Sequence, residues 1–192
     1  MTVKILGIPG SLRRASLNGM ALRAAQRLVP EGVAIDIFDL LREIPPYDDD
    51  ERAGSGFPPA VNALREGIRA ADALLIVSPE YNYSIPGVLK NAIDWASRAP
   101  DQPFADKPVA IMGASPGLLG TARMQYHLRQ CLVFLDARVL NKPEVMIGGA
   151  AQKFDAEGNL TDGATATIIT AQLTALAVWT ERLRPQRVPT AA

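Results

Sequence analysis

The sequence predicts an α/β fold in which a parallel sheet is covered by helices on both faces. Five short apolar or alternating runs that suit strands occur along the chain, and segments with helical periodicity separate them. Such alternation is typical of a parallel sheet with helical crossovers. The 192 residues are enough for one domain with a full hydrophobic core. We expect the doubly wound strand order 2-1-3-4-5, in which the first and third strands are neighbours and ligands bind where they end.

Composition and charge exclude several classes of protein. The 20 basic residues balance the 20 acidic residues, so no net charge attracts nucleic acid or an anionic membrane. No apolar run approaches the roughly 20 residues that cross a bilayer, and residues 1–7 are too short in their apolar part for a signal peptide. The single cysteine, Cys131, favours a reducing compartment. We therefore expect a cytoplasmic protein without nucleic-acid or membrane partners.

The strands and helices follow from the spacing of apolar residues along the chain. Strands are predicted at 3–8, 33–38, 73–77, 109–113 and 139–147, the last interrupted by Asn141-Lys142-Pro143; the clearest helices are predicted at 58–71 and about 163–183. Residues 40–57 are rich in Pro, Gly and Asp and are predicted to be irregular. We expect a single domain over residues 1–184 and a loose tail over residues 185–192, which contains two prolines.

Residues 78–87 form the stretch that indicates a ligand most directly. They follow the apolar run at 73–77, whose length and branched side chains suit a strand buried on both faces. The loop is stiffened by two prolines and carries two tyrosines and an asparagine, and Pro86 fits the first turn of the next helix. A stiff loop with aromatic walls and free N–H groups suits the edge of a flat heterocycle. The alternative is an ordinary connection between a strand and a helix.

A second candidate loop, residues 9–19, lies between the first strand and a helix. Helix N-termini bind anions because their N–H groups are unpaired and the helix dipole is positive there. Ser11, Ser16 and Asn18 add side-chain donors, and the Arg13 guanidinium matches a phosphate. The pattern contains neither Gly-x-Gly-x-x-Gly nor Gly-Lys-Ser/Thr, which disfavours dinucleotides and triphosphates. The alternative is a capped helix with solvated arginines.

A third candidate loop, residues 114–121, follows the fourth strand. Its glycines permit close approach of the backbone to a ligand, and Ser115 stands where the strand stops. A structural turn is the alternative. In the expected strand order these three loops converge, and together they form a phosphate site, a ring-edge site and a glycine-rich wall. That combination suits a mononucleotide with one phosphate and a flat ring, and FMN is the natural candidate.

Four other features have simpler interpretations. The acidic run 48–51 lacks calcium-loop spacing and a nearby histidine, so we interpret it as a solvated loop and predict no metal site. His127 has no recognisable nucleophile partner and is interpreted as a surface or interface residue. Cys131 lies on the apolar face of its helix and is interpreted as a buried, inert thiol. Val133 and Phe134 fall outside that face, which indicates a second buried surface, between subunits.

These motifs resemble the NAD(P)H-dependent FMN reductase family, in its branch of quinone and chromate reductases with a flavodoxin-like, three-layer fold. The resemblance extends over nearly the whole chain. It is carried by Gly10-Ser11-Leu12-Arg13-Arg14-Ala15-Ser16-Leu17-Asn18, by the long segment from Ser78-Pro79-Glu80-Tyr81-Asn82-Tyr83 to Asp94-Trp95, by Ser115-Pro116-Gly117, by Asn141-Lys142-Pro143-Glu144 and by Phe154-Asp155.

The resemblance implies roles for particular residues. The residues that it assigns to the FMN phosphate are Ser11, Arg13, Ser16 and Asn18, and those that it assigns to the isoalloxazine are Glu80, Tyr81, Asn82 and Tyr83. Ser115 and Gly117 are assigned to the ring or ribityl chain, and Leu17 and Pro79 are further cofactor-binding residues. It also implies a homodimer or homotetramer, for which Arg123, Tyr126 and Glu144 are the candidate interface network. We expect NADPH or NADH to reduce the flavin and leave, and a small acceptor to enter the same space, a ping-pong scheme without a catalytic side chain.

Three alternatives remain open from the sequence. The first is a one-electron carrier of flavodoxin type, although the balanced charge offers no charged docking face. The second is a non-catalytic protein that binds FMN as a structural or sensing element. The third is an enzyme whose product is free reduced flavin for a partner monooxygenase.

Overall fold

A six-stranded parallel sheet forms the middle layer of the protein in a computed structural model that describes residues 2–184. The tail predicted at 185–192 lies outside the described residues. The strands are β1 (Val3–Pro9), β2 (Val33–Ile37), β3 (Ala73–Val77), β4 (Pro108–Ala114), β5 (Arg138–Val139) and β6 (Val145–Ile147). The helices are α1 (Leu17–Arg27), α2 (Asp49–Ser55), α3 (Pro59–Ala70), α4 (Gly87–Ala96), α5 (Ala122–Phe134) and α6 (Gly163–Leu183).

The strand order is β2-β1-β3-β4-β5, which confirms the predicted order. Strand β1 pairs with β2 on one side and with β3 on the other, where Ile5 lies opposite Ala73 and Pro9 opposite Val77. Strand β4 continues the sheet beyond β3. The chain therefore reverses its direction of winding between β1 and β3, and loops that follow these strands lie side by side.

Apolar side chains alternate between the two faces of the sheet, because successive residues of a strand point in opposite directions. On one face Ile5, Leu75 and Met112 pack with helices α1 and α6. On the other face Leu74 and Ile76 pack with helices α3, α4 and α5. Strands β3 and β4 are buried along their whole length, as expected for central strands that are covered on both sides.

Two predicted boundaries need correction. Residues 40–57 are not wholly irregular: they contain a 3-10 helix at Leu41–Glu43 and helix α2. Helix α2 forms because the Asp48 carboxylate accepts from the N–H groups of Asp50 and Glu51. The acidic side chains of its first turn also stabilise the helix, since they lie at the positive end of the helix dipole. The predicted fifth strand is divided into β5 and β6, which both pair with β4.

Among residues 2–184, none of the helices has the length and apolar character that crossing a membrane requires.

Candidate functional site

The three candidate loops meet around Ser78, the first residue after β3, which is completely buried. Gly10 follows β1 and donates its N–H to the Val77 carbonyl at 2.8 Å. A side chain at Gly10 would overlap the Ser78 side chain, and a side chain at Gly113 in β4 would overlap the Ser78 carbonyl and Thr121. The ends of three neighbouring strands therefore approach one another more closely than any residue other than glycine at positions 10 and 113 would allow.

The first loop presents unpaired donors at the N-terminus of α1. Ser16 caps the helix by accepting from the Gly19 N–H at 3.2 Å. Within residues 2–184, the backbone N–H groups of Ser11, Leu17 and Asn18 have no hydrogen-bond acceptor. Arg13 is exposed beside them. These donors and the helix dipole form an electropositive cradle that fits a phosphate group.

Asn18 has a structural function in addition to its place in this loop. It is buried, its side-chain amide donates to the Ala114 carbonyl at 2.8 Å, and its side-chain oxygen accepts from the Ala114 N–H at 2.8 Å. Both bonds join the start of α1 to the end of β4. The side-chain oxygen is thus already bonded to the protein, whereas the Asn18 backbone N–H has no acceptor in residues 2–184 and can donate to a ligand.

The second loop contains a two-residue turn between Tyr81 and Ser84. The N–H of each of these residues donates to the carbonyl of the other, at 3.1 and 2.9 Å. Asn82 and Tyr83 both have left-handed backbones, with φ of 49° and 68°. A left-handed non-glycine residue costs about 1–2 kcal/mol. In the described part of the chain, the N–H groups of Asn82 and Tyr83 have no acceptor.

Contacts with helix α5 hold this turn in place. The Glu80 carboxylate, whose side chain is 6% exposed, accepts from the backbone N–H groups of Arg123 and Met124 at 3.0 and 3.2 Å. It also forms an ion pair with the Arg123 guanidinium. That guanidinium lies 3.6 Å from the centre of the Tyr83 ring. The Glu80 side chain is therefore occupied by α5, and the turn presents its backbone and its tyrosines.

The third loop is fixed by contacts with the segment after β6. The Ser115 N–H donates to the Ile147 carbonyl, and the Ser115 hydroxyl accepts from the Gly117 N–H at 3.1 Å. Gly148 packs so closely against Leu118 that a side chain at Gly148 would overlap the Leu118 carbonyl. Leu118 itself is 95% exposed. This loop forms a wall whose apolar tip is open to a ligand.

A cavity of about 140 Å³ lies between the three loops. Nine of the twelve predicted ligand residues line it: Ser11, Arg13, Ser16, Leu17, Asn18, Pro79, Glu80, Tyr81 and Ser115. Ala114 and Pro116 of the third candidate loop also line it, although neither was named as a ligand residue. Asn82, Tyr83 and Gly117 lie outside the cavity, on its exposed rim.

The residues present fit FMN. A cavity for a whole small molecule is about 300–1,000 Å³, so this smaller one would hold the phosphate and the chain attached to it. The unpaired N–H groups at the start of α1 match the phosphate. The flat ring would then lie over the rim, where Tyr81 is 49% exposed and Tyr83 70% exposed.

The structure also places the residues that the sequence left outside the site. His127 is exposed on α5, and its Nδ1 lies 2.8 Å from the Ser84 hydroxyl, a pairing that sequence spacing does not reveal. Cys131 is half-buried and free.

A hydrogen bond to the Glu144 carboxylate raises the pKa of the Tyr126 hydroxyl. Val133 and Phe134 are 75% and 87% exposed. Within residues 2–184, no group of three or more His, Cys, Asp or Glu side chains is arranged to hold a metal.

Comparison with known proteins agrees with this geometry. The family model described as NADPH-dependent FMN reductase matches residues 3–152. An NAD(P)H-dependent FMN reductase of Pseudomonas aeruginosa is 60% identical over 182 residues, which cover 95% of this chain and 97% of that protein. A quinone reductase of Escherichia coli is 49% identical over 183 residues, covering 95% of this chain and 97% of its own.

A solved structure shows the same likeness. FerB, a flavoenzyme NAD(P)H:(acceptor) oxidoreductase from Paracoccus denitrificans, superposes with a TM-score of 0.85 at 34% sequence identity. The superposition covers 94% of this chain and 98% of that one. The flavodoxin-like fold expected from the sequence is therefore confirmed.

Replacing Gly113 by alanine tests whether the strand ends must meet at Ser78. The added methyl group would overlap the Ser78 carbonyl, so we expect the free energy of unfolding to fall by about 1–3 kcal/mol and FMN binding to weaken. Urea denaturation and FMN titration measure the two effects. The control is Gly54→Ala in α2, where nothing lies within 4 Å of the new methyl group. Equal stability and FMN affinity in the two variants would contradict the packing argument.

Proposed function

Since the chain belongs to the NADPH-dependent FMN reductase family, we propose that it works by a ping-pong scheme at the cavity between its three loops. It is an FMN-dependent NAD(P)H oxidoreductase that uses a small-molecule acceptor. In the proposed scheme NAD(P)H and the acceptor occupy the same open space in turn. The observation that carries this proposal is that the cavity, at about 140 Å³, is smaller than a site for a whole small molecule, so the ring of a bound mononucleotide would be accessible at the rim.

The first loop would hold the phosphate. The N–H groups of Leu17 and Asn18 and the Ser11 N–H supply fixed donors without a partner in the described residues, and the Arg13 guanidinium supplies the charge. Charge-assisted hydrogen bonds contribute about 1.5–3 kcal/mol each. The Ser16 hydroxyl oxygen accepts from the Gly19 N–H in capping α1, which leaves its O–H free to donate to the phosphate as well.

The second and third loops would position the ring. Bound FMN would supply the hydride chemistry that connects NAD(P)H with the acceptor. The free N–H groups of Asn82 and Tyr83 would bind the polar edge of the ring and stabilise negative charge that develops there. Ser115 and Gly117 would form the opposite wall. No side chain needs to act as a nucleophile.

A quinone is the acceptor class that we propose. The E. coli relative is named a quinone reductase, and the rim offers the flat apolar contacts that a quinone ring requires. Tyr81, Tyr83 and Leu118 are all exposed there. The free Cys131 thiol and the use of NAD(P)H both favour a reducing compartment, so we place the enzyme in the cytoplasm.

We further propose a homodimer or homotetramer built on the exposed face of α5. Arg123 is paired with Glu80 and lies over the Tyr83 ring in its own chain, and the Glu144 carboxylate raises the pKa of the Tyr126 hydroxyl. These groups can contribute polar contacts between subunits. The apolar area would come from Val133 and Phe134 at the end of the same helix, whose side chains are almost fully exposed.

Anaerobic absorption spectroscopy tests the function. We expect the protein to purify with FMN, or to bind it when added, and its flavin band to bleach on addition of NADPH. A quinone added afterwards should restore the band, and initial rates should give parallel double-reciprocal lines. A flavin band that NADPH leaves unchanged would contradict the oxidoreductase mechanism and favour an electron carrier or a non-catalytic flavoprotein.

Replacing Arg13 by alanine tests the phosphate site. Because one charge-assisted contact is lost, we expect the dissociation constant of FMN to rise about 10-fold or more. Arg14→Ala is a matched control, since it removes the same charge from the adjacent exposed residue. Fluorescence titration of both apoproteins measures the difference. An equal loss of affinity in the two variants would show that general charge, not a specific contact, attracts the cofactor.

Replacing Phe134 by serine tests the proposed subunit contact. We expect a lower oligomeric mass by light scattering at the same protein concentration, because an apolar contact is removed from the interface. Val178→Ser on α6, where the side chain is 47% exposed, is the control. An unchanged mass for Phe134→Ser would place the interface elsewhere.

A further inference from the structure

Arg42 contacts the first candidate loop from outside the cavity. It lies in the 3-10 helix at Leu41–Glu43, and its guanidinium donates to the Leu12 carbonyl at 2.6 Å. Within residues 2–184 this carbonyl is the one recorded hydrogen-bond acceptor of Arg42. Arg42 and Leu12 do not line the cavity, whereas Ser11 and Arg13, on either side of Leu12, both do. The hydrogen bond therefore acts on the loop without touching a ligand in the cavity.

Two hydrogen bonds fix the peptide group between Leu12 and Arg13. Its carbonyl accepts from Arg42, and its N–H donates to the Ser11 hydroxyl oxygen at 3.2 Å. Because a peptide group is planar, bonds at both of its ends set its orientation. The Ser11 oxygen is an acceptor in this bond, so its own proton stays free to donate to a phosphate. The next carbonyl, that of Arg13, accepts from the Ser16 N–H at 3.1 Å.

The direction of these carbonyl groups matters because a carbonyl oxygen repels an anion. A loop that binds phosphate presents its N–H groups to the ligand and its carbonyl oxygens elsewhere. In the part of the chain that the structure describes, the Leu12 carbonyl has no recorded donor besides Arg42. Without that guanidinium the peptide group is free to rotate, and ordering it again on binding would cost affinity.

The short helix that carries Arg42 is itself anchored to α4. Leu41 is 4% exposed and belongs to the hydrophobic core. The Pro45 carbonyl accepts from the Asn91 side-chain amide at 2.7 Å and from the Trp95 indole N–H at 2.9 Å. Trp95 is completely buried. The Arg42 guanidinium therefore reaches the loop from a backbone that buried groups hold in place.

We propose that Arg42 is a positioning residue for the FMN phosphate: by holding the Leu12 carbonyl, it keeps the donors of the first loop directed at the cavity before the cofactor binds. This inference rests on the proposed function, because it requires FMN with its phosphate at the start of α1. Arg42 acts through the loop and not by contact with the cofactor. Its loss weakens the binding of FMN and leaves the binding of riboflavin, which has no phosphate, unchanged.

Replacing Arg42 by methionine tests the proposal, since it removes the guanidinium and keeps most of the length of the side chain. We expect the dissociation constant of FMN for the apoprotein to rise about five-fold or more, the factor that corresponds to one net hydrogen bond. The dissociation constant of riboflavin should not change. Fluorescence titration with each flavin gives the two constants.

Arg27→Met is the matched control. Arg27 is also exposed and also donates to an oxygen of a distant loop, the Asn159 side-chain oxygen at 2.6 Å, but it lies at the opposite end of α1 from the cavity. The substitution removes the same charge from the chain. This variant should bind FMN and riboflavin as the wild type does.

Salt separates the proposed hydrogen bond from general attraction by charge. Arg42 is exposed, and in 1 M salt, where the Debye length is about 3 Å, the effect of an exposed charge on a distant phosphate is largely screened. The difference in FMN affinity between the wild type and Arg42→Met should therefore persist in 1 M NaCl. In the FMN-saturated proteins, the phosphorus NMR signal of the cofactor should shift in Arg42→Met and stay in place in Arg27→Met.

Three results would overturn the proposal: FMN affinity that is equal in Arg42→Met and the wild type, an equal loss of affinity for FMN and riboflavin, or a difference that vanishes in 1 M NaCl. The second would assign Arg42 a general structural role, and the third a purely electrostatic one. A wild-type protein that binds no FMN would overturn the proposed function and this inference together. FMN that binds and is bleached by NADPH, with unchanged affinity in Arg42→Met, would overturn this inference alone.

Discussion

The close packing of Gly10 and Gly113 against Ser78 is the constraint on which the candidate site depends. Parallel strands end on the same edge of a sheet, but side chains at their ends normally keep the following loops apart. Here two glycines remove that separation, and the Asn18 side chain then bonds α1 to the end of β4. The phosphate cradle, the ring-edge turn and the third loop therefore surround one cavity.

The site has two parts: a rigid end at the start of α1, and a rim at the turn of Asn82 and Tyr83 that contacts with α5 keep in place. The end proposed to bind the phosphate consists of a capped helix N-terminus and unpaired backbone N–H groups, which need no rearrangement to bind an anion. The rim is the left-handed turn at Asn82 and Tyr83, whose conformation is unfavourable in isolation. Contacts with α5 stabilise it: the Arg123 N–H donates to the Glu80 carboxylate, the Arg123 guanidinium lies over the Tyr83 ring, and the His127 ring is hydrogen-bonded to Ser84. Because that helix also carries Val133 and Phe134, it connects the rim to the proposed subunit contact.

The sequence predicted most of the fold and most of the cavity lining, for identifiable reasons. The strand order could be predicted because helices and strands alternate along the chain. The cavity residues could be predicted because they lie in loops that follow the ends of predicted strands. Helix α2 was missed because the Pro, Gly and Asp content of residues 40–57 indicates irregular structure, whereas the Asp48 cap and the acidic first turn stabilise a helix locally. The contacts of Asn18 with Ala114 and of Ser84 with His127 join residues 96 and 43 positions apart. Only the tertiary fold brings such pairs together.

The most direct measurement of the central claim compares the affinities of FMN and riboflavin for the apoprotein. If the singly phosphorylated cofactor is anchored where β1 ends and α1 begins, the phosphate makes at least two charge-assisted contacts, and FMN should bind at least about 100-fold more tightly than riboflavin. Competition titration under identical salt conditions gives the ratio. Equal affinities would contradict the account, because they would show that the cradle at the start of α1 contributes nothing to cofactor binding.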